Sequence, residues 1–355
     1  MSQSRAPRSP LSPPRPRAWR RALGAVGAAL AVAAAASACG GGSGGLEKSN
    51  LTVGVVDGIG AVTFELGVQQ HDFDQNGLSI TLNHYSTDAQ AEAALQKGAI
   101  DIAFGDYSSF LDESSSNPVS GKVEVVGEGY DAGANTIGLI AANGSSLLTD
   151  QLGGSSGVSG KISSGSLSVD VPQSDSPEYL ALANWAIGEQ TPLSLSVHDV
   201  NAVGGTSDGA SIASAEVSAV ASGAVGAAVL QEPYLTQALE SGKVTELANL
   251  DTGSVQNMPI SGYFALTTTA QNDPNTMSAF QAGLSSAQAL GESRVDVEAA
   301  LAAAKVTSDV AATAEIGSYP TAIVQANLSN VLSLMSFANL QIGLQDAATL
   351  TGSNN

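Results

Sequence analysis

The chain has 355 residues, with 33 Asp and Glu against 13 Lys and Arg, and a net charge of −20. Six of the positive residues are arginines before residue 22, so the chain after Cys39 keeps seven positive residues and all 33 acids, a net charge of −26. A chain this acidic is not expected to bind nucleic acid or anionic lipid through its charge. A single cysteine excludes an intrachain disulfide and redox chemistry of the CxxC kind.

The first 38 residues have the pattern of a secretory leader. Arginines up to Arg21 precede an Ala-rich apolar run, 22–36, and a small-residue site that ends at Cys39. The apolar run is short for a membrane span, and a flexible Gly/Ser stretch follows the cysteine. The site resembles a bacterial lipobox, which implies a lipid on Cys39 after cleavage. We expect residues 1–38 to be a signal peptide, 39–50 a tether, and the mature protein to be lipid-anchored at the outer face of the cell membrane. An ordinary secretory signal is the alternative.

The segment after the tether alternates short apolar strands with helices. Its predicted elements are strands 51–56, 78–82 and 99–104, a helix ending near residue 70, and a helix over 89–96. Thr87 and Gln90 have capping-box spacing at the start of the last helix, and Gly98 ends it. Strands that alternate with helices predict a parallel α/β sheet.

The same pattern recurs roughly 125 residues later. A helix predicted at 210–221 ends at Gly223 and is followed by a strand at 224–230, as the earlier helix ends at Gly98 and is followed by a strand. One copy in each lobe suits a two-lobed α/β protein. Because ligands bind at the carboxyl ends of strands in open α/β sheets, two such lobes would share one cleft.

The remaining segments connect and complete the two lobes. Strands are predicted at 123–126, 136–140, 167–171 and 261–267, a helix starting at Ser176 and Pro177, and C-terminal helices at 276–290, 295–303 and 323–338. The Gly/Ser-rich stretch 153–165 is predicted to be a surface loop. Two inter-lobe crossings would form the hinge of two crossing strands. The predicted lobes are 51–134 with 260–355, and 135–259.

Several segments carry a resemblance to a known family. They are 98–107, 223–225 with 231–234, 260–265, 275–281 and 319–321. In order and spacing they resemble the bacterial substrate-binding proteins for nitrate, alkanesulfonates and taurine, a family that includes binders of thiamine pyrimidine precursors. The resemblance implies a type II periplasmic binding protein fold, delivery of a small organic ligand to the permease of an ABC importer, and no cofactor. We expect a monomer. Gly226 departs from the family pattern, which leaves the ligand open.

Loops at the carboxyl ends of the predicted strands supply the candidate ligand-binding residues. They are Asp57, Gly58, Ser86, Thr87, Asp106, Tyr107, Ser174, Asp175, Ser207 and Glu232. Helix starts near Gly60, Thr87, Ser176 and Ser207 can present free backbone N–H groups to an anion, although capping alone explains each of them. Asp106 and Glu232 can accept hydrogen bonds from ligand amines, or serve a loop or the hinge.

No metal or catalytic site is predicted. His71, His84 and His198 lack paired metal-ligand spacing, and no phosphate loop or zinc signature occurs. A Ser-His-Asp triad forms in space and is not decided by sequence. We expect a binding protein, not an enzyme. The alternatives are a membrane-tethered enzyme or biosynthetic protein on the same fold, or a ligand-binding sensor subunit.

The positions of the positive residues indicate which class of ligand the cleft can bind. The mature chain has one arginine, Arg294, on a predicted C-terminal helix, and no lysine in the candidate loops. An anion would depend on backbone N–H groups and hydroxyls, whereas a neutral or amine-bearing ligand can bind Asp106, Asp175 or Glu232. We expect a neutral or cationic nitrogen-containing organic ligand.

Overall fold

Ten strands carry the architecture of the protein. A computed structural model describes residues 45–116, 122–154, 156–187, 197–199, 209–340 and 347–352. The strands in these ranges are β1 (Asn50–Val56), β2 (Ser79–Tyr85), β3 (Ile102–Asp106), β4 (Val123–Asp131), β5 (Ile137–Ala142), β6 (Val169–Val171), β7 (Val197–Asp199), β8 (Ala227–Gln231), β9 (Val244–Asn249) and β10 (Pro259–Leu266). The predicted signal peptide, Cys39, the first half of the tether (39–44) and Ser207 lie outside the described residues.

Helices cover both sheets. In the described residues the α-helices are α1 (Val62–Gln69), α2 (Asp88–Gln96), α3 (Tyr107–Ser116), α4 (Val158–Ser163), α5 (Pro177–Ile187), α6 (Gly209–Ser222), α7 (Tyr234–Glu240), α8 (Thr267–Asn272), α9 (Pro274–Ala289), α10 (Arg294–Ala303), α11 (Ser308–Thr313), α12 (Gln325–Phe337) and α13 (Ala347–Leu350). Among these helices, none is both long and apolar enough to cross a membrane.

The two sheets repeat one topology. The first has the strand order β2-β1-β3-β10-β4 and the second the order β7-β6-β8-β5-β9. In each sheet three strands are parallel, and the other two run antiparallel to their neighbours. The strand β3 of the first sheet and β8 of the second occupy the same place. The prediction of a two-lobed α/β fold is confirmed.

The duplicated unit ends its helix in the same way in both copies. Gly98 and Gly223 have φ angles of 67° and 74°, in the left-handed region that favours glycine. In each copy the amide after the glycine donates to a carbonyl five residues back, Ala99 to that of Ala94 and Ala224 to that of Ala219. This C-terminal motif turns the chain directly into the next strand. It also explains why β3 and β8 begin three residues later than predicted.

The prediction of a surface loop at 153–165 is wrong in its second half. Residues Val158–Ser163 form the helix α4, and Val158 and Ile162 are fully buried. The two apolar side chains, four residues apart, lie on one helix face, which packs against α5. Tertiary burial therefore overrides a Gly/Ser-rich composition that locally favours a loop.

The chain passes between the sheets at two adjacent segments, 132–136 and 250–258. One side chain ties them together. The Asp251 carboxylate accepts hydrogen bonds from the backbone amides of Thr136 at 2.5 Å and Ile137 at 2.7 Å, and from the Thr136 hydroxyl at 3.0 Å. Ala132 N–H also donates to the Met258 carbonyl at 2.8 Å. The crossings thus form one hydrogen-bonded hinge.

The C-terminal helices contact elements of both sheets. The Thr313 hydroxyl donates to Glu240 at 2.9 Å, and the Tyr179 hydroxyl donates to the Ala338 carbonyl at 3.4 Å. Ser318 forms an antiparallel bridge with Asp131 at the end of β4. This segment therefore provides a further link beside the hinge.

Candidate functional site

A cleft opens where the carboxyl ends of the two sheets face each other. The loops after β1, β2 and β3 form one wall, and the segments after β6 and β8, with α5 and α6, form the other. It consists of two adjoining cavities, open to solvent, of about 710 and 570 Å³. Residues shared by both cavities include Asp57, Asp88, Asp106, Glu178 and Tyr234. The term cleft refers to these two cavities below.

Asp88 and Asp106 lie together on the first wall. Asp88 is the first residue of α2 and is 8% exposed, and its carboxylate accepts a hydrogen bond from the Asp106 amide at 3.0 Å. Glycine is required beside them, because a Cβ on Gly105 would collide with the Asp88 carboxylate and the Phe110 ring. The end of β3 is thereby held against the start of α2.

The carboxyls of the cleft have raised pKa values. Burial raises the pKa of Asp88 to about 7, opposed by the Asp106 amide and supported by the charges of Asp175 and Glu178. Burial and the neighbouring carboxylates, Asp88 first, hold the pKa of Asp106 well above its usual range. Burial likewise raises the pKa of Glu178. Like charges about 4 Å apart repel by on the order of 1–4 kcal/mol between water and a protein surface, so these groups do not all ionise together.

Positive side chains are absent from the cleft as far as the structure describes it. None of the lining residues is Lys or Arg. The chain after residue 44 has seven Lys and Arg, and none of them falls in a segment outside the described residues. Several pair with acids elsewhere, as Lys48 does with Asp101 and Lys161 with Asp150, both at 2.6 Å.

His84 brings positive charge to the rim of the cleft. Its Nδ1 lies 2.6 Å from Asp57 Oδ1 and 3.9 Å from Glu65 Oε1. The hydrogen bond to Asp57 raises the pKa of His84, burial opposes it, and the charges of both acids add to it. The three residues offer metal-ligand atoms within 4.8 Å of one another, an arrangement that their sequence spacing did not indicate. The short contact and the raised pKa of His84 favour an ion pair between His84 and Asp57.

A buried hydroxyl lies at the base of the cleft. Ser261 on β10 is 2% exposed, lines the smaller cavity, and its Oγ has no hydrogen-bond partner among the described residues. Gly60 faces it, and a Cβ there would lie 2.6 Å from the hydroxyl. The glycine therefore leaves room beside a polar group that the protein itself does not satisfy.

A hydrogen bond joins the two walls. Gln173, after β6, donates from Nε2 to the Ser109 hydroxyl on α3 at 2.7 Å, and this hydroxyl lies 3.4 Å from the Asp175 carbonyl. Gln173 also lines the cleft, together with Ile212, Glu216 and Tyr234 of the second wall. The lobes are thus in direct polar contact at one end of the cleft.

The structure brings six of the ten sequence-predicted site residues together at the cleft. They are Asp57, Gly58, Ser86, Thr87, Asp106 and Glu232. Thr87 also caps α2, because its hydroxyl accepts from the Gln90 amide at 3.3 Å, as its spacing predicted.

Glu232 and the other predicted residues have different surroundings. Tyr107 is fully buried and packs edge-on against Phe264 in the core, 5.4 Å between ring centroids, away from the cleft lining. Glu232 lines the smaller cavity, but its carboxylate accepts from the Thr236 amide and hydroxyl and from the Glu315 amide. Ser174 and Asp175 fall between lining residues, and Ser207 lies outside the described residues.

Sequence reasoning missed several polar lining residues. Among them are Asp88, Gln173, Glu178, Glu216 and Ser261. The first-turn positions of Asp88 and Glu178, one and two residues after the capping residues Thr87 and Ser176, were an available signal, because helix starts beside strand ends face the cleft. Glu216 and Ser261 carried no comparable signal, since their exposure to the cleft depends on how the lobes pack.

Solved structures with the same fold include substrate-binding components of import systems. Similar chains include the ligand-binding component of an ABC-type import system from Staphylococcus aureus with zinc bound, at 15% identity and a TM-score of 0.63, covering 87% of this chain and 99% of that one. The alkanesulfonate-binding protein SsuA from Xanthomonas axonopodis bound to MOPS has 16% identity and a TM-score of 0.59, with 84% and 96% covered. The nitrate-binding protein NrtA from Synechocystis has 11% identity and a TM-score of 0.58, with 87% and 89% covered.

These similarities confirm the periplasmic binding protein fold. The similar structures include binders of sulfonate and nitrate, as the sequence segments suggested. No family model and no curated protein matches the chain. At these identities the likeness establishes the fold alone.

Proposed function

We propose that this protein is the extracytoplasmic solute-binding receptor of an ABC importer, tied to the outer face of the cell membrane by lipid on Cys39. The observation that carries the proposal is the single cleft between two sheets of repeated topology, with strand ends of both sheets in its walls. This is the place where open α/β sheets bind ligands. The likeness to solved importer components over more than four fifths of the chain supports it.

The proposal assigns one lobe to residues 51–134 with 260–355 and the other to 135–259. Membership of the two sheets supports this division, because β1–β4 and β10 form one sheet and β5–β9 the other. The hinge at 132–136 and 250–258 then lets the lobes close on a ligand that a permease accepts. In the first lobe, Asp57, Gly58, Ser86, Thr87 and Asp106 are the proposed ligand contacts.

Thermal unfolding with candidate ligands tests the proposal. A receptor that binds only when folded gains about 2.7 kcal/mol at a ligand concentration a hundred times its dissociation constant. For a domain of this size we expect the melting temperature to rise by several degrees. The panel should include sulfonates, nitrate, pyrimidines, amines and a small-molecule extract of the host cells. If neither the panel nor the extract raises the melting temperature, the protein is not such a receptor.

A further inference from the structure

We propose that the cleft binds a small organic cation that carries N–H donors, such as a protonated amine or an amidinium group. The inference rests on the proposed function and names the class of solute that the receptor takes up. It departs from the sulfonate and nitrate named for the similar solved structures.

The first ground is the supply of acceptors for N–H donors. The Asp106 carboxylate makes no hydrogen bond with the described residues and faces the cleft beside Asp88. Other acids that line the walls already have hydrogen-bond partners. Asp57 bonds to His84, Glu178 to the Ser176 side chain, and Glu232 to Thr236. The carboxylate open to a ligand donor is therefore that of Asp106, at the end of β3.

The second ground is independent of the acids. The Ser261 hydroxyl is buried, unpartnered and part of the lining of the smaller cavity, whose other residues include Asp88 and Asp106. A buried polar group is normally paired, and leaving one unpaired has a free-energy cost. A hydroxyl that is free in the empty cleft is satisfied when a ligand N–H donates to it. It thus marks a ligand position within reach of the acidic cluster.

The third ground is the balance of charge. The lining contains no Lys or Arg, and the His84 imidazole is engaged by Asp57 and Glu65 at the rim. An anion at the centre of the cleft would face Asp88, Asp106 and Glu178 with no counter-charge. A cation supplies the missing counter-charge and replaces protons that these carboxyls otherwise share. Cation binding should therefore release protons and tighten as the pH rises through about 7, the pKa of Asp88.

Calorimetric titration of the mature protein tests the inference. The probes are putrescine, agmatine and ethanolamine as cations, methanesulfonate and nitrate as anions, and cytosine as a neutral donor-bearing compound. The variants Asp106→Asn and Asp88→Asn remove acceptor charge, and Asp309→Asn is the matched control, because Asp309 is exposed and does not line the cleft. Titration of the parent in two buffers with different ionisation enthalpies measures proton release and requires no variant.

We expect at least one cation to bind to the parent protein and to release protons on binding. Its affinity should be at least tenfold weaker in Asp106→Asn and Asp88→Asn, and should change less than twofold in Asp309→Asn. Binding of an anion or cytosine without any cation overturns the inference and leaves the receptor function standing. A cation that binds without proton release and equally well to all variants also overturns it. If no probe binds and a host-cell extract does not raise the melting temperature, the receptor function falls as well.

Discussion

At the scale of single residues, Ser261 combines a cost to the free protein with a proposed use in binding. Its hydroxyl is buried without a partner, and such a group destabilises the protein that contains it by roughly 1–3 kcal/mol. Ser261→Ala should therefore raise the free energy of unfolding of the ligand-free protein by up to about 1 kcal/mol, since the lost packing offsets part of the gain. The same change should weaken ligand binding severalfold. Urea unfolding and calorimetry measure the two effects.

Ser108→Ala provides the matched control. Ser108 is 1% exposed and its hydroxyl also has no partner, but it does not line the cleft. We expect this variant to gain stability without loss of affinity. Equal affinity in Ser261→Ala and the parent would remove Ser261 from the binding site.

At the scale of elements, the hinge depends on one carboxylate. Asp251 accepts from two buried backbone amides on the opposite crossing, those of Thr136 and Ile137. Asp251→Ala leaves both amides without their acceptor and should lower the free energy of unfolding by about 1–3 kcal/mol. Asp309→Ala, on an exposed position, should change it by less than about 0.5 kcal/mol. Equal stability of the two variants in urea would mean that Asp251 does not hold the crossings together.

The helices and strands also show which parts of the fold can be predicted from sequence alone. The helix–glycine–strand unit could be predicted in both copies, because Gly98 and Gly223 give a local stop signal and apolar runs follow them. The helix at 158–163 could not, since Gly and Ser dominate its surroundings and burial of Val158 and Ile162 decides its structure.

In the candidate site, too, some residues could be predicted from local sequence and others depend on tertiary packing. Asp57, Ser86 and Asp106 could be placed in a cleft because strand ends and helix starts are visible in the pattern of apolar residues. Tyr107 directly follows Asp106, yet its ring turns into the core against Phe264. Neither that side-chain direction nor the unpaired hydroxyl of Ser261 depends on local sequence, so packing alone reveals them.

At the scale of the whole molecule, buried acids set the pH dependence of stability. Burial raises the pKa of Asp251 to about 6, of Asp88 to about 7 and of Asp131 to about 8, whereas unfolded aspartates titrate near 3.9. Between about pH 4 and 8 the folded protein therefore binds more protons than the unfolded chain, and stability falls as the pH rises. Glu47, whose pKa is lowered to about 2, makes the stability rise with pH, but only below about pH 4.5.

We accordingly expect the ligand-free protein to melt several degrees lower at pH 8 than at pH 5. Scanning calorimetry at constant ionic strength measures this difference. Asp88→Asn should flatten the dependence, because one of the raised carboxyls is gone. A melting temperature that climbs steadily from pH 5 to pH 8 would show that these acids are ionised and stabilised in the folded state.

The proposed membrane attachment concerns the whole chain and depends on its one cysteine. The basic leader, the small-residue site and the Gly/Ser stretch around Cys39 motivate a lipid anchor. Cys39→Ser should move the protein from the membrane fraction to the soluble fraction outside the cytoplasm, because the variant carries no lipid to anchor it. Immunoblots of the separated fractions measure the shift, and Ser37→Ala, beside the cysteine, is a control that keeps a small residue at the site. Full retention of Cys39→Ser in the membrane would exclude the anchor.

Closure of the lobes on a ligand is the central claim, and small-angle scattering tests it most directly. The cleft lies between the two sheets, which are joined by a hinge at 132–136 and 250–258, so a ligand that contacts both walls favours the closed form. The mature protein should be measured alone and with a saturating amount of the compound that gives the largest melting shift. We expect a smaller radius of gyration with the compound. An unchanged radius, with one molecule bound per protein by calorimetry, would contradict closure around the cleft.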